Sequence, residues 1–236
     1  MTRPGSVALS VHGITGEGVE VLVADVPHGE HPETTLWRHG WLAQQAVRAW
    51  RADDPAGIAI RYVVRARRAT DPLPASRAVG TDPDLALELG EQPVRVQRLA
   101  AYALVRSARG LLLTRLSRQT NAPGLWTLPG GGVDPGEQPE QGLHREVDEE
   151  TGQKVAVTGL FRVLDGHWIG KAPGGRVEDF HVVRLVYRAE CHDPTDPVVH
   201  EVGGTTDAAI WVAEQQVAGL PVSPVWAAVL PGLVSR

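Results

Sequence analysis

With 236 residues, 42% of them hydrophobic, the chain is long for one small catalytic domain and short for two large ones. A formal net charge of −5 excludes a non-specific nucleic-acid binder, which needs a basic excess to neutralise phosphates, and the single cysteine, Cys191, excludes an internal disulfide. No run reaches the roughly 20 apolar residues that span a membrane and no N-terminal apolar segment marks export, so the expectation is a soluble, cytoplasmic protein.

Residues 1 to about 68 predict a small α+β domain of order β-β-α-β, with no catalytic motif. Val7, Leu9 and Val11, then Val19, Val21 and Val23, alternate with other residues across a Gly-rich turn, the pattern of a hairpin. Trp37 and Trp41 lie four apart, as do Leu42, Ala46 and Trp50, which predicts one helix through Trp50. Its tryptophans read as core, with a homodimer interface as the alternative. Ile58–Arg65 predicts a strand, and Arg61, Arg65, Arg67 and Arg68 read as a charged sheet edge or as contacts to a phosphate or partner. His12, His28 and His31 read as loop residues, or alternatively as ligands of one metal. Residues 69–93, rich in Pro, Asp and Gly, predict a linker.

From Val94 onward the pattern changes. Leu99–Val105 and Leu111–Leu113 predict strands joined by a turn at Arg109-Gly110, followed by strand-like Trp126-Thr127-Leu128 and a tight glycine loop, Gly130-Gly131-Gly132. Further strands are expected at 155–164, 181–190 and 208–213, and helical stretches at 212–219 and 224–233. Between them a helix is signalled by Gln138 as N-cap, Pro139 at the first position, Leu143 and Val147 as an apolar stripe, and Gly152 as the stop.

Glu146, Glu149 and Glu150 fall on one face of that helix. Three carboxylates within a turn repel one another unless a cation sits among them, and oxygen-only ligands favour a hard ion such as Mg²⁺ or Mn²⁺. The alternative, a solvated acidic face, loses ground because Gly131, Glu137 and Arg145 stand in register with the trio. Arg145 reads as structural, with Glu137 folding back to brace its guanidinium. With only Lys154 and Lys171 beside 21 arginines, arginine is the main available phosphate clamp.

Written as spacings, Gly131, Glu137, Arg145-Glu146-Val147, Glu149-Glu150 and Gly152 resemble the Nudix box, the signature of the Nudix hydrolases. The resemblance covers roughly residues 95 to 236. For residues 94–236 it implies an α/β/α sandwich with a mixed sheet, preceded here by the small N-terminal domain. It implies divalent-metal-dependent cleavage of a diphosphate bond in a nucleotide, or in a nucleoside diphosphate linked to another group. Glu146, Glu149 and Glu150 then look like metal ligands, one of them a base, with a carbonyl of Gly130 or Gly131 as a further ligand. A downstream acid is expected as well: Glu201, with Glu178 and Asp179 as competitors. Gln153 departs from the box, which normally ends on an aliphatic residue. The upstream Trp126–Gly131 stretch is similar to the generic branch that includes nucleoside triphosphate pyrophosphatases, and Arg115, Trp126 and Trp168 are the candidate substrate contacts. The partner implied is a small nucleotide, with neither membrane nor nucleic acid. The alternative is a nucleotide-sensing or scaffolding protein whose N-terminal domain engages a partner.

Overall fold

The computed structural model describes residues 7–53, 56–74, 78–85, 87, 91–172, 174–200, 203–227 and 230. Its class is α/β. The first elements are β1 (Leu9–Ile14), β2 (Glu20–Asp25), α1 (Pro32–Arg38), β3 (Trp41–Asp53) and β4 (Ala56–Ala66). The four strands form one sheet in the order β2-β1-β4-β3, with β1 parallel to β4 and the outer pairs antiparallel. Leu9, Val11, Leu36, Ile58, Ile60, Tyr62 and Val64 bury their side chains here. The hairpin and the β4 strand are present as expected, and β1 keeps the alternation. Val19 and Val23 of the second arm are exposed, while β4 buries Ile58, Ala59 and Ile60 in a row.

The predicted helix through Trp50 is corrected: it ends at Arg38, and Trp41–Asp53 is a strand. Gly40 takes a φ of +86°, a left-handed turn that glycine alone enters without strain and that stops the helix. The register of β3 on β4 then slips between Ala43 and Gln45 and again between Ala46 and Arg48. Each bulge inserts one unpaired residue, and the second leaves Ala46 and Ala49, three apart, as the buried pair in place of the four-apart Leu42, Ala46 and Trp50. The order is therefore β-β-α-β-β.

The charged-edge expectation is corrected too, because β4 lies between β1 and β3. Its arginines have partners. Arg61 stacks on Trp50 at 4.9 Å, Arg67 on Trp37 at 3.9 Å, and Arg65 grips both Asp71 oxygens at 2.7 Å. The three N-terminal histidines do not share a site: His12 pairs with Glu20, while His31 caps α1 by accepting the Glu33 N–H.

The second sheet holds β5 (Gly80–Thr81), β6 (Val94–Ser107), β7 (Gly110–Leu116), β10 (Ala156–Lys171), β11 (Val177–Glu190) and β12 (Thr206–Val212). Its order is β12-β7-β6-β11-β10-β5, with β8 (Trp126–Thr127) on β7 and β9 (Gly130–Gly132) on β6. The strand β5 falls inside the predicted linker, where it pairs in parallel with Trp168 and Ile169 of β10. Helix α2 (Pro139–Thr151) lies between β9 and β10; a 3-10 turn (Glu214–Gly219) and α3 (Pro224–Ala227) stand where helical stretches were expected. No helix among the described residues is long and apolar enough to cross a membrane.

Two compact units are assembled from interleaved segments. Met1–Ala100, Gly132–Pro139 and Leu160–Leu185 make the first; Ala101–Gly131, Glu140–Gly159 and Val186–Arg236 make the second. The core of the second includes Leu104, Leu111, Leu112, Leu113, Leu128, Leu143, Val147 and Val186.

Candidate active site

In the second unit, α2 is anchored by Leu143 and Val147, both fully buried, and Pro139 opens it as the sequence predicts. That anchoring sets three degrees of exposure for the three carboxylates. Glu149 is the most open, at 44% of its side chain, Glu146 keeps 18%, and Glu150 is buried at 3%. Arg145 donates from Nη1 to Glu146 Oε1 at 2.8 Å and to Glu149 Oε2 at 3.2 Å. One guanidinium thus offsets part of the repulsion between two neighbouring carboxylates.

The glycine loop is built around the same group of acids. Gly130 has a φ of +131°, and a Cβ there would stand 2.2 Å from the Ala101 carbonyl oxygen, so no other residue fits. Its N–H donates to Glu150 Oε2 at 2.8 Å, while the Thr206 hydroxyl donates to Glu150 Oε1 at 2.5 Å. Charge-assisted bonds of this kind are what keep a buried carboxylate ionised and in place. At Gly131 the obstacle is a side chain, since a Cβ would fall 2.5 Å from Glu146 Oε2. Glu146 and Glu150 therefore lie against the loop backbone, and Arg145 links Glu149 to Glu146. A hard divalent cation fits that donor set; a soft or imidazole-seeking metal does not.

Arg115 and Trp126 come together: they pair across β7 and β8, the guanidinium lies 5.8 Å from the indole centroid, and Arg115 Nε donates to Asp207 at 2.7 Å. Trp168 belongs to the first unit, its indole lying across Gly170 beside Gly80. Glu137 Oε2 accepts the Asp134 N–H at 2.9 Å. Glu201 lies outside the described residues. Glu178 pairs with Arg176. Asp179 lies between His28 and His167; burial works against its charge, yet the two imidazoles outweigh that and hold its carboxyl below the ordinary value.

Two contributors escaped the sequence reading. Thr206 lies 56 residues beyond the glutamate it holds, and nothing in the sequence separates it from the adjacent Thr205. Gln153, the departure from the box, is buried at 3% and fully engaged. Its Nε2 donates to Thr195 Oγ1 at 2.9 Å and to the Thr151 carbonyl at 3.2 Å, and its Oε1 accepts the Thr195 N–H at 3.0 Å.

A NUDIX domain model matches residues 96–230. The nucleoside triphosphatase NudI of Klebsiella pneumoniae (strain 342) is 32% identical over 94 residues, which is 39% of this chain and 67% of that protein. NudI of Escherichia coli O1:K1 / APEC is 31% identical over the same shares. Among solved structures, the Nudix hydrolase RenU of M. smegmatis aligns over 59% of this chain and 85% of its own, at 26% identity and a TM-score of 0.45. Because the domain match spans more than half of the chain and includes the glycine loop and carboxylate helix, this protein belongs to the Nudix hydrolase family.

Proposed function

We propose that the protein hydrolyses a diphosphate bond in a nucleotide, or in a nucleoside diphosphate linked to another group, using Mg²⁺ or Mn²⁺ held by Glu146, Glu149, Glu150 and a backbone carbonyl at Gly130 or Gly131. One observation carries this reading. The glycine loop excludes a side chain at Gly131 because a carboxylate of α2 fills that space, so loop and acidic helix are fitted to each other. The ion, when bound, would bridge substrate phosphates and lower the pKa of an attacking water.

The chain's own residues divide the remaining work. Glu150, held by a backbone N–H and a hydroxyl, is the fixed donor. Glu146 lies over the loop backbone. Glu149 is the carboxylate most open to solvent and is the best placed to receive a proton from water. Arg145 keeps Glu146 and Glu149 at a defined spacing. Arg115 and Trp126 supply a guanidinium and a stacking face for phosphate and base. Glu201 is retained in the proposal as a further acidic ligand.

The test is a panel of nucleoside triphosphates and nucleoside diphosphate derivatives incubated with Mg²⁺ or Mn²⁺, with released phosphate and nucleoside monophosphate measured. Glu149→Gln should lower turnover at least about 100-fold, the usual weight of a positioned acid–base group. Turnover equal to that of the unmodified protein would sink the proposal. Nucleotide binding without turnover across the whole panel would favour a sensing or scaffolding role instead.

A further inference from the structure

Three histidines and two aspartates, none of them on the acidic helix, gather within the first unit. His28 lies in the loop between β2 and α1, Asp165 and His167 on β10, and Asp179 and His181 on β11. The three imidazoles pack edge to face, with centroids 5.5 Å apart for His28 and His167 and 5.7 Å for each pair with His181. His167 Nε2 stands 2.5 Å, and His28 Nε2 3.1 Å, from the same Asp179 oxygen. The neighbouring Gly29 accommodates this packing, since a Cβ there would strike the His167 ring at 2.6 Å.

The hydrogen bonding leaves two buried imidazole nitrogens of the cluster, on His28 and His181, without a hydrogen bond. Gln97 donates from Nε2 to the Val7 carbonyl at 3.0 Å, which turns its Oε1 toward His181 Nδ1, also at 3.0 Å. Nδ1 is then the donor in that contact. His181 Nε2 belongs to a fully buried ring, makes no hydrogen bond and lies 3.6 Å from an Asp165 oxygen. His28 Nε2 is likewise buried and without a hydrogen bond, though it faces Asp179. Buried imidazole nitrogens that face carboxylate oxygens without a hydrogen bond are costly unless a cation joins them.

We propose that His28, His167 and Asp179 bind a divalent transition-metal ion of the zinc class, at a site other than the box carboxylates. Their ligand atoms already lie within 4.8 Å of one another. Two imidazole nitrogens and one carboxylate form a borderline donor set that suits Zn²⁺ or Co²⁺ and disfavours Mg²⁺. Tetrahedral bonds of about 2.0–2.2 Å put ligand atoms roughly 3.3–3.5 Å apart, so the two short contacts need only open slightly. The three side chains keep 15%, 15% and 19% exposure, enough for an entry path and for a fourth ligand from solvent. His181 and Asp165 close the buried side, and Arg95 stands 3.9 Å from the other Asp179 oxygen. The metal would fasten the loop before α1 to β10 and β11, which makes it a stabilising tie.

The experiment titrates Co²⁺ into chelator-treated full-length protein, follows the visible absorption of tetrahedral cobalt, and measures the melting temperature with and without Zn²⁺. One equivalent should bind, Zn²⁺ should displace it, and Zn²⁺ should raise the melting temperature. His167→Gln and Asp179→Asn should each weaken binding by more than the 10- to 100-fold typical of changes behind the ligands. Glu149→Gln should leave both signals intact. Wild-type protein showing neither cobalt absorption nor a Zn²⁺-dependent shift would overturn the proposal, whatever the variants do. So would signals that survive both substitutions and vanish in Glu149→Gln, because the ion would then sit on the box. Should one variant fail to fold, His28→Gln replaces it with the same expectation.

Discussion

The carboxylate of Glu146 occupies the space into which any side chain at Gly131 would grow, 2.5 Å from where a Cβ would stand. Its carboxylate is the far end of a flexible chain, so Gly131→Ala should push it aside at little cost to stability, within about 1 kcal/mol. Hydrolysis should nevertheless fall more than about 10-fold, because a displacement near 1 Å misplaces a metal-binding group. Gly130→Ala should behave in the opposite way. There the obstacle is the Ala101 backbone at 2.2 Å and the φ is +131°, so stability should drop by about 1–3 kcal/mol or more. Urea unfolding and turnover measured on both variants check the contrast.

Glu150 and Glu149 separate in the same two assays. Glu150 accepts from Gly130 N–H and the Thr206 hydroxyl in a buried setting, and Glu150→Gln replaces one acceptor with a donor. That change should cost about 1–3 kcal/mol of stability as well as activity. Glu149 is 44% exposed, so Glu149→Gln should abolish turnover with stability unchanged. Thr206→Val should follow Glu150→Gln more weakly, by about 1 kcal/mol. Equal urea midpoints for all three variants would contradict the division of labour.

At Gln153 the box pattern itself would recommend an aliphatic residue, and here that residue should destabilise. Gln153→Leu strips two hydrogen bonds from the exposed Thr195 and one from the carbonyl of the buried Thr151, and leaves an apolar side chain among these polar groups. The expected loss is about 1–2 kcal/mol. A second readout lies next to it. The Cys191 thiol, pushed up by burial, faces Gln153 Oε1 at 3.7 Å. It should alkylate slowly in the wild type and faster in the variant.

What could be read in advance depended on how local the cause was. Helix α2 was legible because its signals, Pro139, Leu143, Val147 and Gly152, all lie within the element. Strand β3 escapes the sequence because the four-residue spacing of Leu42, Ala46 and Trp50 suits a helix, whereas two bulges make Ala46 and Ala49 its buried pair, and a bulge leaves no mark in composition. His31 was weighed with His28 as a metal ligand, yet it caps a helix two residues on. The true neighbours of His28, His167 and Asp179, are separated from it by most of the chain, and only strand pairing brings them near. Thr206 illustrates the same limit for Glu150.

Acid should weaken the first unit through one ion pair. Asp71 is held well below the usual carboxylate range, first by the two-point hydrogen bond from Arg65 and then by the Arg68 N–H. A carboxyl depressed in the folded state binds fewer protons there than in the unfolded chain. Its stabilisation is therefore complete above the unfolded value of about 3.9 and fades as the pH falls through the folded one. Asp71→Asn should lower the urea midpoint at pH 7 and match the wild type progressively as the pH drops below about 4. Arg65→Lys should lose part of the same increment, because an ammonium cannot grip both oxygens in one plane. Parallel midpoint curves for the wild type and Asp71→Asn across that acid range would show that the pair contributes nothing to the acid response.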